Sequence, residues 1–152
     1  MARHRASRSP LRAVAALLAM LLAATVLAGP ASASTARLRV VGQDAVDKYN
    51  CQFTVSSVNT VAGTVTGKIS GNAFPATLAG YGTIVRNRVV CVVEDSNFAS
   101  AGTLDVSANH ATVSGNKTVV LALADSYTLC GAAEYTTKNG TTAVVPTTCQ
   151  SG

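Results

Sequence analysis

Few side chains in this 152-residue sequence have the type and spacing that chemistry requires. Past the N-terminal segment the one imidazole is His110, set in Ser107-Ala108-Asn109-His110 with no nucleophile motif beside it. Ser-His-Asp chemistry needs a base oriented by a carboxylate next to a nucleophile. The nearest approach to a nucleophile elbow, Gly67-Lys68-Ile69-Ser70-Gly71, has its serine out of place for G-x-S-x-G. His110 is therefore expected to be an exposed turn residue. The acidic clusters are Asp44/Asp47 and Glu94-Asp95. Paired carboxylates serve glycoside hydrolysis or hold calcium. Glu94 and Asp95, however, are adjacent at a strand end and would point to opposite faces, and Asp44/Asp47 lack the glycine-centred spacing of a calcium loop. All four are expected to be solvated turn carboxylates. Gly80-Tyr81-Gly82 lacks the third glycine and following helix of a dinucleotide loop and reads as a turn. No catalytic, cofactor-binding or metal-ligating residue is assigned, and no cofactor is expected.

Four cysteines remain, Cys51, Cys91, Cys130 and Cys149. Zinc sites want close C-x-x-C pairs, which these positions do not offer. An even cysteine count in a small exported chain reads as two disulfides. Export is expected from the N-terminus. Arg3, Arg5, Arg8 and Arg12 form a positive region, Ala13 to Ala28 is apolar, and Gly29-Pro30 precedes the small-x-small pattern Ala31-Ser32-Ala33. That order is a secretory signal with its cleavage site. The apolar run is shorter than the ~20 residues a membrane-spanning helix needs. Met1 to Ala33 is thus expected to be removed, leaving Ser34 to Gly152 as one domain with no membrane span. Four of the 12 Lys+Arg residues go with the signal, so eight face seven Asp+Glu in the remainder. The basic balance belongs to the targeting segment, and nucleic acid, which wants a basic stripe, is not an expected partner. Arginine and alanine usage suits a GC-rich bacterial genome.

The elements that must position these residues are strands. Valine and threonine dominate, both suited to a pleated surface. Val61, Gly63, Val65, Gly67 and Ile69 alternate along one face, as do Leu104 and Val106, and Val119, Leu121 and Leu123. Ser70-Gly71-Asn72, Ala79 to Gly82, Asp95-Ser96-Asn97, Ser114-Gly115-Asn116 and Asn139-Gly140 have the composition of turns. Asn139-Gly140 suits a two-residue type I′ hairpin. That turn would pair Lys138 with Thr141, put Cys130 opposite Cys149 and set Pro146 against Ala133. Tyr49, Cys51, Phe53 and Val55 share one face, and Val85, Val89, Cys91 and Val93 another, so Cys51–Cys91 is expected to bridge two sheets. The expected fold is all-β: a small sandwich of about seven to nine short strands.

In architecture this resembles the immunoglobulin-like sandwich. It departs from that family in having no tryptophan and in placing Tyr127 three rather than two residues before a late cysteine. In length, Ala/Thr/Val/Gly richness and two disulfides the chain also resembles the enediyne-binding apoproteins of the neocarzinostatin type. Its disulfide spacings differ from that family's short loops, and no residue is carried over from either. The expected function is a secreted, non-catalytic protein acting by surface binding to an extracellular macromolecule or the cell envelope. Two alternatives stand beside it: an inhibitor of a secreted hydrolase, presenting Phe74-Pro75 or Tyr81 to Arg86, and a carrier of a small hydrophobic ligand. Tyr81, Phe74 and Phe98 could rim a binding surface, since aromatics are common interface anchors, but in a core short of aromatics they are expected to be buried.

Overall fold

The computed structural model describes residues 37–76 and 83–152; the expected signal, Met1 to Ala33, lies outside the described residues, as does Tyr81. The chain is all-β, with strands β1 (Arg37–Gln43), β2 (Asp47–Asn59), β3 (Thr64–Pro75), β4 (Ile84–Asp95), β5 (Ala101–Ala108), β6 (Val113–Ala122), β7 (Tyr127–Thr137) and β8 (Thr142–Ser151). They form two four-stranded antiparallel sheets, ordered β1-β2-β3-β6 and β5-β4-β7-β8. Alternation sets the core. Tyr49, Phe53, Val65, Ile69, Val89, Val93, Leu121, Leu129 and Val145 turn inward and are buried between the sheets. Edge backbone groups are capped by side chains, which blunts pairing with other chains. The Arg39 N–H donates to Gln150 Oε1 at 3.0 Å, and Lys117 Nζ donates to the Thr103 carbonyl at 3.2 Å.

Cys51 on β2 and Cys91 on β4 join the sheets, both fully buried, with Cα atoms 5.7 Å apart. Each lies opposite a glycine on the neighbouring strand, Cys51 facing Gly71 and Cys91 facing Gly131. A Cβ at Gly71 would stand 2.6 Å from Cys91 Sγ, and one at Gly131 2.8 Å from Cys51 Sγ. The two glycines make the space the bridge occupies.

The second disulfide, Cys130–Cys149, links β7 to β8 on the outer face. The hairpin beneath it corrects the expected turn. Thr137 N–H donates to the Thr141 carbonyl, Gly140 N–H donates to the Thr137 carbonyl, and only Gly140 has positive φ, +85°. This is a three-residue loop ending in a glycine bulge, not a two-residue type I′ turn. The register near the loop is therefore one residue off, with Ala133 facing Val145. A second irregularity around Pro146-Thr147 restores it, so Cys130 still meets Cys149. Tyr127 and Gly152 exchange both backbone hydrogen bonds. By alternation Cys130 and Cys149 are then a non-hydrogen-bonded pair, the closer kind, and their Cα atoms are 4.1 Å apart.

Other expectations shift for local reasons. Val61 is 99% exposed and Gly63 has φ +62°, because both belong to the β2–β3 turn rather than to a strand face. An irregularity between Ile84 and Arg86 puts Val85 outside and Asn87 inside. Tyr127 makes the hydrogen bonds of a tyrosine corner: its hydroxyl donates to the Ala122 carbonyl at 2.9 Å and accepts from Ala124 N–H at 3.3 Å, while its ring tilts onto Phe53. The inter-sheet bridge is Cys51–Cys91, so this corner bears no fixed spacing to Cys130.

Candidate functional site

Ser70-Gly71-Asn72 and Ser114-Gly115-Asn116, which have the composition of turns, are instead mid-strand segments of β3 and β6 paired with each other. Ser70 faces Asn116, Gly71 faces Gly115 and Asn72 faces Ser114. The glycines point inward, where a Cβ at Gly115 would lie 2.8 Å from Val106, so close packing of the sheets demands them. The four polar side chains consequently point outward. Alternation aligns them with Arg37, Arg39, Asn50, Gln52, Thr54, Lys68 and Phe74 on the outer face of the first sheet.

Short side chains in the middle and long ones at the sides hollow this face. One depression of about 350 Å³ is lined by Arg39, Asn50, Gln52, Ser70, Asn72 and Ser114. It continues past Thr54, Lys68 and Asn116 at one end and past Phe74 at the other. The lining is partly pre-set: Arg39 Nη2 donates to Asn50 Oδ1 at 3.2 Å, and Asn50 Nδ2 donates to Asn72 Oδ1 at 3.1 Å. Arg37, Arg39, Lys48 and Lys68 lie on the outward positions of β1, β2 and β3, and no Asp or Glu does. The trough is cationic and rich in amides and hydroxyls, which both donate and accept hydrogen bonds.

The outer face of the second sheet differs. Arg88 and Asp105 form an exposed ion pair at 2.6 Å. Val90, Ala132 and Val144 surround a small apolar dimple beside it.

A second polar cluster sits at the end carrying the β1–β2 turn. Asp44 Oδ1 accepts the N–H groups of Val46 and Asp47, both at 2.7 Å, and Oδ2 accepts the Tyr135 hydroxyl at 2.8 Å. Burial alone would raise the Asp44 pKa, but these hydrogen bonds outweigh it and hold the carboxyl below its ordinary range. Burial, with the carboxylate partner beside it, pushes Tyr135 up to about 12. Asp47 is fully buried; Oδ1 accepts from Asn87 Nδ2 at 3.0 Å and Oδ2 has no partner. Burial pushes its pKa up to about 6. Asp95 is also buried, its carboxylate accepting the N–H groups of Asn97, Ala99 and Ser100 and the Ser100 hydroxyl. Asp47 and Asp95 are thus structural acids, not the solvated ones expected: Asp47 packs against Asn87 of β4, and the β4–β5 turn folds over Asp95.

His110 is exposed, its Nδ1 3.2 Å from the Thr112 hydroxyl. Among the described residues no group of three or more His, Cys, Asp or Glu side chains is arranged to hold a metal ion. Phe74 is half-buried at the end of the trough, Pro75 is buried, and Phe98 is 81% exposed rather than in the core. No helix of the described residues is long and apolar enough to cross a membrane.

No protein-family model matches this chain, and no curated protein matches it either. Among solved structures it is similar to a Bordetella pertussis protein provisionally described as ApaA. The TM-score is 0.50 at 8% identity, covering 77% of this chain and 94% of that one. At such identity the likeness is one of fold.

Proposed function

We propose that this chain is a non-catalytic binding protein that works outside the cytoplasm and holds an extended, anionic macromolecule of the cell envelope along β3. Its two disulfides suit an oxidising compartment. The observation that carries the reading is the acid-free trough: cations on β1, β2 and β3, over a floor of Ser70, Asn72 and Ser114. Cations attract an anionic polymer from a distance and form charge-assisted hydrogen bonds on contact. Amides and hydroxyls between them match the polymer's own hydroxyls. A sheet face braced from behind by a buried disulfide loses little freedom on binding, which favours affinity.

The test is co-sedimentation of the oxidised Ser34-to-Gly152 chain with a phosphate-bearing polyol polymer, neutral dextran and polylysine serving as comparisons. The anionic polymer should be retained in a salt-sensitive manner. Arg39→Ala with Lys68→Ala removes two charge-assisted contacts and should weaken retention about tenfold or more. Ser70→Trp should block it by filling the floor. Equal retention of wild type and both variants, or equal binding to neutral dextran, overturns the reading.

A further inference from the structure

We infer that Cys130–Cys149 is a thiol–disulfide exchange site, opened by an external protein dithiol, and that it latches the C-terminal segment Thr147 to Gly152. The two bridges of the chain stand in opposite surroundings. Cys51 and Cys91 are 0% exposed, and the sheets must part before a reagent reaches their sulfurs. Cys149 is exposed on β8, an edge strand, and Cys130 is half-buried beside it on β7. Exchange requires a thiolate to reach one sulfur of the bond, and here that needs no rearrangement of the core. The immediate neighbours of Cys130 on the outer face are Val92 on β4 and Thr128 and Ala132 on β7. None carries a negative charge that would repel a thiolate. Exposed disulfides are the more readily reduced, and labile or regulatory bridges are drawn from them.

The segment it fastens has little else to hold it. Val145 is the last buried residue of β8, and every residue from Pro146 to Gly152 is exposed. Pro146 and Thr147 drop out of the pairing with β7, which resumes at Thr148. Beyond that break the segment is held by its ladder to β7, by the Thr128–Ser151 hydroxyl contact at 2.8 Å, by Gln150 Oε1 accepting the Arg39 N–H, and by the disulfide. Exposed hydrogen bonds without buried side chains give low local stability, so the bridge decides whether the segment stays docked. The strand before the break keeps its place through Val145 and through the Tyr49 hydroxyl, which donates to the Pro146 carbonyl at 3.0 Å. In the exchange, one thiolate of the dithiol attacks Cys149 Sγ, forming a mixed disulfide. The Cys130–Cys149 bond breaks, and Cys130 leaves as a thiolate that takes up a proton. The second thiolate of the dithiol then attacks the reductant's own sulfur in the mixed disulfide and displaces Cys149. The bridge gains two electrons and two protons, and the dithiol becomes a disulfide. The site lies on the outer face of the second sheet and does not depend on what the trough of the first sheet holds.

The experiment treats the oxidised Ser34-to-Gly152 chain with dithiothreitol at neutral pH without denaturant, followed by iodoacetamide quenching and peptide mapping. Cys130 and Cys149 should become alkylated about a hundredfold or more faster than Cys51 and Cys91, at a rate proportional to the dithiothreitol concentration. Reduced thioredoxin, the protein dithiol used as probe, should open the same bridge and leave Cys51–Cys91 closed. With that one bridge open, the chain should keep its all-β circular dichroism. Amide exchange from Thr147 to Gly152 should rise about tenfold or more while β2, β3 and β4 stay protected. Oxidised glutathione, added in place of the alkylating agent, should close the bridge and restore slow exchange. Both bridges opening together, a rate that levels off at that of global unfolding, no reaction with thioredoxin, or unchanged exchange from Thr147 to Gly152 after opening overturns the inference.

Discussion

Asp47 offers a test of how this fold tolerates a buried acid. One carboxyl oxygen accepts from Asn87 and the other has no partner. Burial raises the pKa from 3.8 to about 6, with the Asn87 hydrogen bond opposing and the Asp44 charge adding. In the unfolded chain the group returns to about 3.9. Between those values the native state holds a proton that the unfolded state releases. Stability is therefore greatest while Asp47 is protonated, falls as pH rises from about 4 through about 6, and levels off above. At 1.36 kcal/mol per pH unit, the rise from 3.8 to about 6 corresponds to at most about 3 kcal/mol. That is a large part of the roughly 5–15 kcal/mol stabilising an ordinary domain. Asp44 contributes in the opposite sense, its depressed pKa making stability fall only below about pH 4, so the two effects occupy different windows. Urea unfolding followed by circular dichroism, from about pH 4.5 to 7.5, should show wild type losing most of that amount. Asp47→Asn should lose the slope whatever its absolute stability. Parallel pH profiles for the two proteins would refute the assignment of the slope to this carboxyl.

The two disulfides should differ in kind. Cys51→Ala with Cys91→Ala removes a link of separation 40, a loss of about 4 kcal/mol by chain entropy before any void is counted. Cys130→Ala with Cys149→Ala, separation 19, should cost about 3 kcal/mol and show itself as faster amide exchange from Tyr127 onward with the rest protected; uniform deprotection would contradict that. Gly71→Ala drives a Cβ to 2.6 Å from Cys91 Sγ and should destabilise by about 1–3 kcal/mol through overpacking. A thermal midpoint equal to wild type would show that the sheets can move apart there.

Strand alternation was legible because it is a local, repeated signal: Tyr49, Cys51 and Phe53 turn inward together as their spacing requires. The disulfide partners followed from the same alternation and from the position of the last hairpin. The hairpin's own register was not legible, because a glycine bulge at one end and the Pro146-Thr147 irregularity at the other cancel over its length. The polar outer face of the first sheet was not legible for a physical reason. Gly, Ser and Asn are turn formers on their own, but where Gly71 meets the buried disulfide and Gly115 meets Val106 only glycine fits, and the flanking Ser and Asn then become outward strand residues. The sequence signal of this face is the duplicated Ser-Gly-Asn tripeptide, whose two copies pair in antiparallel register. The burial of Asp47 depended on Asn87, forty residues away and brought inward by the β4 irregularity. Hydropathy alone places Phe98 inside, whereas the Asp95 carboxylate three residues earlier folds under the loop and sets its backbone.

The two bridges also set how the protein responds to mechanical load. They enclose separations of 40 and 19 residues that do not overlap along the chain. A pull on the termini can peel strands apart but cannot lengthen the segments between bonded cysteines. At roughly 3.5 Å per extended residue those 59 positions withhold about 200 Å of contour. Both sheets lie on the first link, so β3, which carries the floor of the trough, sits wholly inside a loop that tension never reaches while the sulfurs stay joined. Tension on the termini would strip β1 and β6 away while β3 stayed slack inside its loop, and a reducing agent would be needed to let the chain run out to full length.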